Sequence, residues 1–220
     1  MKQCLLCENN TEMETWLLFF GAKSSSLCPN CLGKLEKITG PLCRICSRPM
    51  KEEGICSDCH SWGESIYAGN RSLYLYNSAM QSLLARFKYR GDYALAAVFA
   101  DDVRREAKEA ECDVICAVPL SPSRLLERRF NQSEALIESA GLTHTRLIGR
   151  YESDKQAKKS RAERLSAEQT FYPLGQAEGK SVLVIDDIYT TGTTVRRVAE
   201  ALKEAGACTV KSVTIARSGS

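Results

Sequence analysis

With 220 residues and 44% hydrophobic content, the chain is long enough for one domain with a sizeable core and a small additional module. A formal net charge of +3 excludes a polyelectrolyte, and it leaves anionic ligands open without demanding nucleic acid. The apolar run Trp16–Phe20 is too short to cross a bilayer, and no charged, apolar and cleavable leader pattern opens the chain. A cytoplasmic protein without membrane insertion is therefore expected.

Cysteine placement is the first strong signal. Eight of the eleven cysteines precede residue 60, in four pairs of identical spacing: Cys4/Cys7, Cys28/Cys31, Cys43/Cys46 and Cys56/Cys59. Two thiolates separated by two residues can reach one ion from a tight turn, and two such turns supply the four sulfurs of tetrahedral Zn²⁺ at about 2.3 Å. Sequential use gives one site from Cys4, Cys7, Cys28 and Cys31 and another from Cys43, Cys46, Cys56 and Cys59; spacing alone leaves an interleaved pairing open. Two structural zinc ions are expected to supply the folding energy of a segment too short for its own core. The alternative, a disulfide framework, needs an oxidising compartment for which nothing here argues. His60 reads as a bystander, and Trp16–Phe20 as packing between the knuckles. Lys34, Lys37, Arg44, Arg48 and Lys51 suit either phosphates or a solvated face. The composition break near Ser61–Gly69 divides the chain into a double zinc-ribbon module, 1–64, and a second domain, 65–220.

In that second domain Ser72–Tyr76 alternates and reads as a strand. Asn77 or Ser78 caps a helix with Met80, Leu83, Leu84 and Phe87 on one face, stopped by Gly91. Asp92 caps the next, with Leu95, Val98, Phe99 and Val103 inward. Val114–Val118 is a continuous apolar strand closed by Pro119. A helical stretch over Arg124–Ser139 and a short strand near Thr145–Ile148 follow. Val182–Ile185 is a second apolar strand, and the helix after it places Val195, Val198, Ala199 and Leu202 on one face before Gly206. Val210–Ile215 closes the pattern. Apolar strands alternating with amphipathic helices imply an α/β fold with a parallel sheet flanked by helices. Cys112, Cys116 and Cys208 read as small core residues, and His144 as a loop residue.

In such sheets ligands bind outside the carboxyl ends of the strands. Two segments there carry unusual chemistry. The first is Asp186-Asp-Ile-Tyr-Thr-Thr-Gly-Thr-Thr194, where a strand delivers two carboxylates, then hydroxyls around one glycine, then a helix N-terminus. Backbone N–H groups and the hydroxyls of Thr190, Thr191, Thr193 and Thr194 can surround a phosphate, and Gly192 permits close approach. Asp186 and Asp187 suit vicinal ribose hydroxyls. A Walker-type loop would need a Lys before its Ser/Thr, and none lies between Asp186 and Val195. The second segment, Val118–Gln132, shapes a turn with Ser121, Pro122 and Ser123. It follows that turn with Arg124, Arg128 and Arg129, whose planar donors suit a diphosphate.

The Asp186–Thr194 stretch resembles the signature of type I phosphoribosyltransferases for phosphoribosyl pyrophosphate (PRPP). That resemblance implies a binding set of Lys88, Leu120, Ser121, Pro122, Ser123, Asp186, Asp187, Ile188, Tyr189, Thr190, Thr191, Gly192, Thr193 and Thr194. Asp186, Asp187 and Arg124 would be the catalytic candidates, and Mg²⁺ would ride on the ligand. Val118–Gln132 and the preceding Cys pairs narrow the likeness to the ComF family of competence for natural transformation, in its ComFC type. The family's pattern has His where this chain has Ser121 and Gly where it has Arg129; Arg129 is tolerable there if the segment is helical. Arg150–Arg164, with Lys155, Lys158, Lys159, Arg161 and Arg164, corresponds to a loop covering the site. Ser153 and Gln156 match its motif in part. The resemblance implies a PRPP-binding competence protein for DNA uptake or the processing of incoming single-stranded DNA. Transfer of phosphoribosyl to an acceptor is one possible activity. The alternatives are an adaptor for DNA or the helicase ComFA, and a PRPP-sensing regulator.

Overall fold

The computed structural model describes residues 2–7, 10–11, 26–63, 65–152 and 170–219. Two short antiparallel pairs, β1 (Lys2–Gln3) with β2 (Asn10–Thr11) and β5 (Ile148–Arg150) with β6 (Phe171–Pro173), flank a central sheet. That sheet contains β3 (Tyr67–Leu75), β4 (Val114–Ala117), β7 (Ser181–Tyr189) and β8 (Thr209–Arg217), all parallel, in the order β3-β8-β7-β4. The helices are α1 (Pro29–Leu32), α2 (Ser57–His60), α3 (Ser78–Tyr89), α4 (Ala100–Ala110), α5 (Pro122–Arg128), α6 (Gln132–Ser139) and α7 (Thr193–Glu204). None among the described residues is long and apolar enough to cross a membrane.

Both faces of the sheet are buried, as its apolar strands require. Leu183 and Ile185 join one core with Met80, Leu83, Leu84 and Phe87 of α3, while Val182 and Val184 join the other with Val195, Val198, Ala199 and Leu202 of α7. Each large side chain so buried contributes about 1.5–3 kcal/mol. Asn77 caps α3 as expected, its side-chain oxygen accepting from the Met80 N–H at 3.0 Å.

The cysteine module straddles the β3 edge of this sheet. Cys4, Cys28 and Cys31 belong to the α3-side core, and Cys43, Cys46, Cys56 and Cys59 to the α7-side core. Between them Glu36 and Ile38 pair with β3: Ile38 N–H donates to Leu73 O and Leu75 N–H to Glu36 O, each at 2.9 Å. An otherwise open edge is thereby closed. Side chains reinforce the contact, with Lys37 on Asp102 (2.9 Å) and Arg86 on the Leu6 carbonyl (2.8 Å).

Several local expectations change. Strands β3, β7 and β8 run past their apolar stretches, and β7 continues through Asp186 and Asp187 to Tyr189. Asp92 makes no capping bond; its carboxylate holds Arg86 at 2.8 and 3.1 Å, and Tyr93–Phe99 is a 3₁₀ helix leading into α4. Cys208 is exposed rather than part of the core. The Trp16–Phe20 packing segment and the Ser153–Arg164 part of the covering loop, with Lys155, Gln156, Lys158, Lys159 and Arg161, lie outside the described residues.

The expected helix over Arg124–Ser139 is two helices, because Arg129 adopts a left-handed conformation (φ 69°, ψ −16°) and Asn131 caps α6 by accepting from Ser133 N–H at 2.9 Å. The segment is therefore not helical at the position where the family pattern has glycine, and Arg129 carries the backbone strain that glycine avoids. Arg129→Gly is expected to gain about 0.5–1 kcal/mol in urea unfolding, the difference between that strain and glycine's entropic cost. A lower midpoint would contradict the strain argument.

Candidate functional site

β4 and β7 are neighbours, so the loops leaving their carboxyl ends lie side by side. Asp187 points toward the end of α3, where Lys88 Nζ meets its Oδ2 at 2.5 Å, both side chains being largely buried. Asp186 Oδ1 accepts from the Asp187 N–H at 2.9 Å and from Ser133 Oγ, at the start of α6, at 3.3 Å. Burial and the adjacent Asp187 carboxylate raise the Asp186 carboxyl above its ordinary range, only partly offset by the Asp187 N–H and Lys88. This carboxylate is thus poorly compensated and suited to accepting hydrogen bonds from hydroxyl groups.

Arginines act in the same region. Arg150, at the end of β5, is held below its ordinary range by burial and then by repulsion from Arg124 and Arg128, with Asp186 acting favourably on it. Arg124, Arg128 and Asp186 therefore all lie within electrostatic reach of Arg150. The sequence-based binding set omits Ser133, and it has Arg150 only within the loop expected to cover the site. Ser133 lies inside the stretch read as one helix, where no local signal marks it.

The turn after β4 places Ser121 in the interior, its Oγ 3.3 Å from Ser123 Oγ, while Pro122, Ser123 and Arg124 are exposed and Leu120 is half-buried. The Ser123 N–H (2.9 Å) and hydroxyl both donate to the Glu152 carboxylate, which they hold below its ordinary pKa range. The turn therefore already receives an anion. Its shape is fixed from behind by Asn131, whose Nδ2 donates to Val118 O at 3.0 Å.

The turn after β7 leads straight into α7. Gly192 occupies the cap position at φ 84° with no side chain to cap the helix, no acidic residue lies in the first turn, and the Thr193 N–H donates to Thr191 Oγ1 at a long 3.4 Å. Thr191 and Thr193 hydroxyls meet at 2.8 Å, and Thr190, Thr191 and Thr194 face solvent. A twelve-residue helix that starts at a glycine cap with no acidic residue in its first turn is a favourable anion site. Ile188 and Tyr189 behave differently from the rest of the expected set: Ile188 packs on the α3-side core and Tyr189 on the α7-side core, so their side chains serve the scaffold.

The cysteine sulfurs form two groups, Cys4-Cys7-Cys28-Cys31 and Cys43-Cys46-Cys56-Cys59, each with all sulfurs within 4.8 Å of one another. No disulfide links them. The Cys7–Cys28 and Cys46–Cys56 separations are 3.6 and 3.7 Å. Four sulfurs about 2.3 Å from a tetrahedral Zn²⁺ stand about 3.8 Å apart, so the cages fit the ion. The groups share a detail: Cys28 N–H donates to Cys4 Sγ (3.2 Å), as Cys56 N–H does to Cys43 Sγ (3.3 Å). Burial alone would raise Cys4 and Cys43, but these and neighbouring N–H donors bring each down to about 6. Burial and the surrounding sulfurs push Cys31 up to about 12 and Cys59 upward as well. Such a spread reflects four thiols that cannot all ionise without a cation among them. His60 is exposed and outside the second cage.

Two family models match the chain. The double zinc ribbon domain matches residues 2–60 and the phosphoribosyl transferase domain residues 134–220. Competence protein ComFC of Bacillus subtilis (strain 168) is 37% identical over 98% of this chain and 95% of its own length. Competence protein ComFC of Streptococcus pneumoniae (strain ATCC BAA-255 / R6) is 38% identical over 98% of this chain and all of its own. The DNA utilization protein YhgH of Escherichia coli O157:H7 is 30% identical over 45% of this chain and 47% of its own. With two zinc-ribbon Cys₄ cages docked on a phosphoribosyltransferase-type sheet, and with near end-to-end similarity to these relatives, the chain belongs to the ComFC family of competence proteins.

Proposed function

We propose that the chain binds Mg²⁺–PRPP between the Thr190–Thr194 turn and the Arg124, Arg128 and Arg150 group, and serves the handling of single-stranded DNA in natural transformation. One observation carries the ligand assignment. A carboxylate pair, half-buried Asp186 and buried Asp187, leads along β7 into the glycine-capped start of α7, and Asp186, Arg124 and Arg128 all act electrostatically on Arg150. PRPP has the same order of groups: a 5′-phosphate, a vicinal diol, and a diphosphate. Asp186 and Asp187 would take the diol, the Thr190–Thr194 turn the 5′-phosphate, and the Leu120–Ser123 turn with Arg124 and Arg150 the diphosphate. Mg²⁺ fits the same scheme, riding on ligand oxygens with few protein ligands. PRPP would supply a diphosphate leaving group at C1; the chain's part is to orient it, neutralise it and keep water away.

The DNA half of the reading draws on the competence and DNA-utilization roles named for the relatives. It also has a surface to rest on. The Arg128 guanidinium lies 5.8 Å from the ring of the well-exposed Tyr89, and Tyr151, half exposed beside Arg150, leans on Tyr172 at 4.5 Å. Exposed aromatic faces interleaved with arginines suit stacked bases and phosphates of a single strand. A cytoplasmic site of action and a helicase partner of ComFA type accompany this role.

Calorimetric titration with Mg²⁺–PRPP should give saturable binding, and a flat trace at millimolar ligand overturns the assignment. The same titration on Glu152→Ala should show about threefold to tenfold tighter binding, because a competing carboxylate leaves the Ser123 donors. Unchanged or weaker affinity would remove Glu152 from the site.

A further inference from the structure

The structure assigns to Arg217 a positioning role: it couples the second cysteine cage to the turn after β7. The consequence for ligand affinity rests on the PRPP reading above, whereas the coupling itself does not.

Arg217 ends β8 and is 4% exposed. Its Nε donates to the Cys46 carbonyl at 3.0 Å and its Nη2 approaches Cys46 Sγ at 3.4 Å, while Nη1 donates to the carbonyls of Ser218 (3.1 Å) and Gly219. The Tyr189 ring lies 5.5 Å from the same guanidinium, Tyr189 and Arg217 are cross-strand partners, and Ser218 N–H donates to Tyr189 O at 2.9 Å. Tyr189 in turn reaches the turn itself: a Cβ on Gly192 would stand 2.1 Å from its Oη. Cys46, Arg217, Tyr189 and Gly192 are therefore in contact one after the other, from a zinc ligand to the cap of α7.

Charge explains why an arginine stands there. Four thiolates around one dication carry two net negative charges, and a buried dianion needs nearby cations. Arg217 supplies one. Arg196 supplies a second: it is 6% exposed, its guanidinium lies 4.5 Å from the Trp62 ring and 5.1 Å from that of Tyr67, and its Nε and Nη2 have no hydrogen-bond partner among the described residues. A buried guanidinium so poorly hydrogen-bonded is costly unless a charge compensates it. Both Arg196 and Cys46 act electrostatically on Tyr67 and on Tyr189. Neutral, metal-free thiols would not hold Arg217 as strongly, and the Tyr189 ring on which the turn rests would lose its fixed neighbour.

The test compares the zinc-loaded full chain with Arg217→Gln and Arg217→Lys, reading zinc release to a colorimetric chelator and amide hydrogen exchange. In Arg217→Gln one of the two zinc ions should leave about tenfold faster, as loss of an outer-shell partner does at metal sites. Exchange over residues 189–195 should rise while that of α3, packed against the first cage, stays unchanged. Arg217→Lys keeps the charge and should recover much of the zinc retention; it also stays informative if the Gln variant does not fold. Unchanged zinc release, or faster release with an undisturbed 189–195 segment, overturns the coupling, as does exchange raised evenly through α3. Mg²⁺–PRPP affinity, measured last, should fall about tenfold in the Gln variant, roughly 1.4 kcal/mol. A wild-type chain that binds no PRPP would refute the ligand reading, and the zinc and exchange results would still decide the coupling.

Discussion

Gly192→Ala is expected to abolish measurable Mg²⁺–PRPP binding and to lower the melting temperature. Two independent effects add at this residue. Its φ of 84° lies where an L side chain is strained, and the added Cβ would stand 2.1 Å from Tyr189 Oη and 2.6 Å from its Cζ. The backbone strain alone costs about 1–2 kcal/mol. Relief of the clash must move either the buried Tyr189 ring, pinned against Arg217 at 5.5 Å, or the turn that would hold the phosphate. Either movement displaces N–H donors whose value depends on placement within about half an ångström. Tyr189→Phe in the same chain removes the nearer clashing atom and should restore part of the affinity, a coupling that a double-mutant cycle measures. Retention of affinity within about twofold in the single variant would mean that the turn does not hold the ligand's phosphate.

The sheet was legible because its strands are apolar on both faces and its helices keep one apolar stripe, and both are local patterns. What escaped depends on partners distant in sequence. β7 continues through two carboxylates because Ile188 and Tyr189 pair with Ala216 and Arg217, and because Lys88 and Ser133 receive the charge. An apolar-run criterion stops at Ile185, where local information ends. The break at Arg129 has no Gly or Pro to announce it; the signal was Asn131, a capping residue lying inside what periodicity alone reads as one helix. Asp92 has the form of a helix cap, but Arg86 six residues earlier takes its carboxylate.

The candidate site was legible in a similar proportion. The hydroxyl-rich turn and the carboxylate pair are contiguous in sequence and therefore visible. Arg150 and Ser133 join them only because β5 and α6 are brought to the same strand ends. Ile188 and Tyr189 entered the expected set as members of the stretch that resembles the signature, and alternation along β7 turns their side chains into the two cores. The cysteine cages were the most legible feature, since spacing within each turn nearly fixes the geometry. Their attachment to the sheet through Glu36, Ile38 and Arg217 was not, being entirely tertiary.

Asp186→Asn should stabilise the unliganded protein while weakening Mg²⁺–PRPP binding about 100-fold, the loss of about 2.7 kcal/mol that one charge-assisted acceptor can supply. The stabilisation follows from the sign of the shift. Burial and the neighbouring Asp187 carboxylate push Asp186 up to about 7 in the folded state. An unfolded aspartate titrates at about 4. The group's contribution to stability is therefore complete below about pH 4 and is lost as the pH rises through the folded value. At neutral pH the wild-type chain holds an unfavourable buried charge, which asparagine removes while its Oδ1 can still accept from Ser133 Oγ and the Asp187 N–H. A gain of about 1–3 kcal/mol at pH 7.5, shrinking toward pH 5, is expected in urea unfolding. Asp187→Asn provides the opposite sign: it leaves the largely buried Lys88 without its 2.5 Å partner. That change should destabilise the chain by about 2–4 kcal/mol while also weakening the ligand. A carboxylate kept against the interest of the fold is what a binding site requires. Loss of stability in Asp186→Asn at neutral pH would assign Asp186 to the scaffold instead.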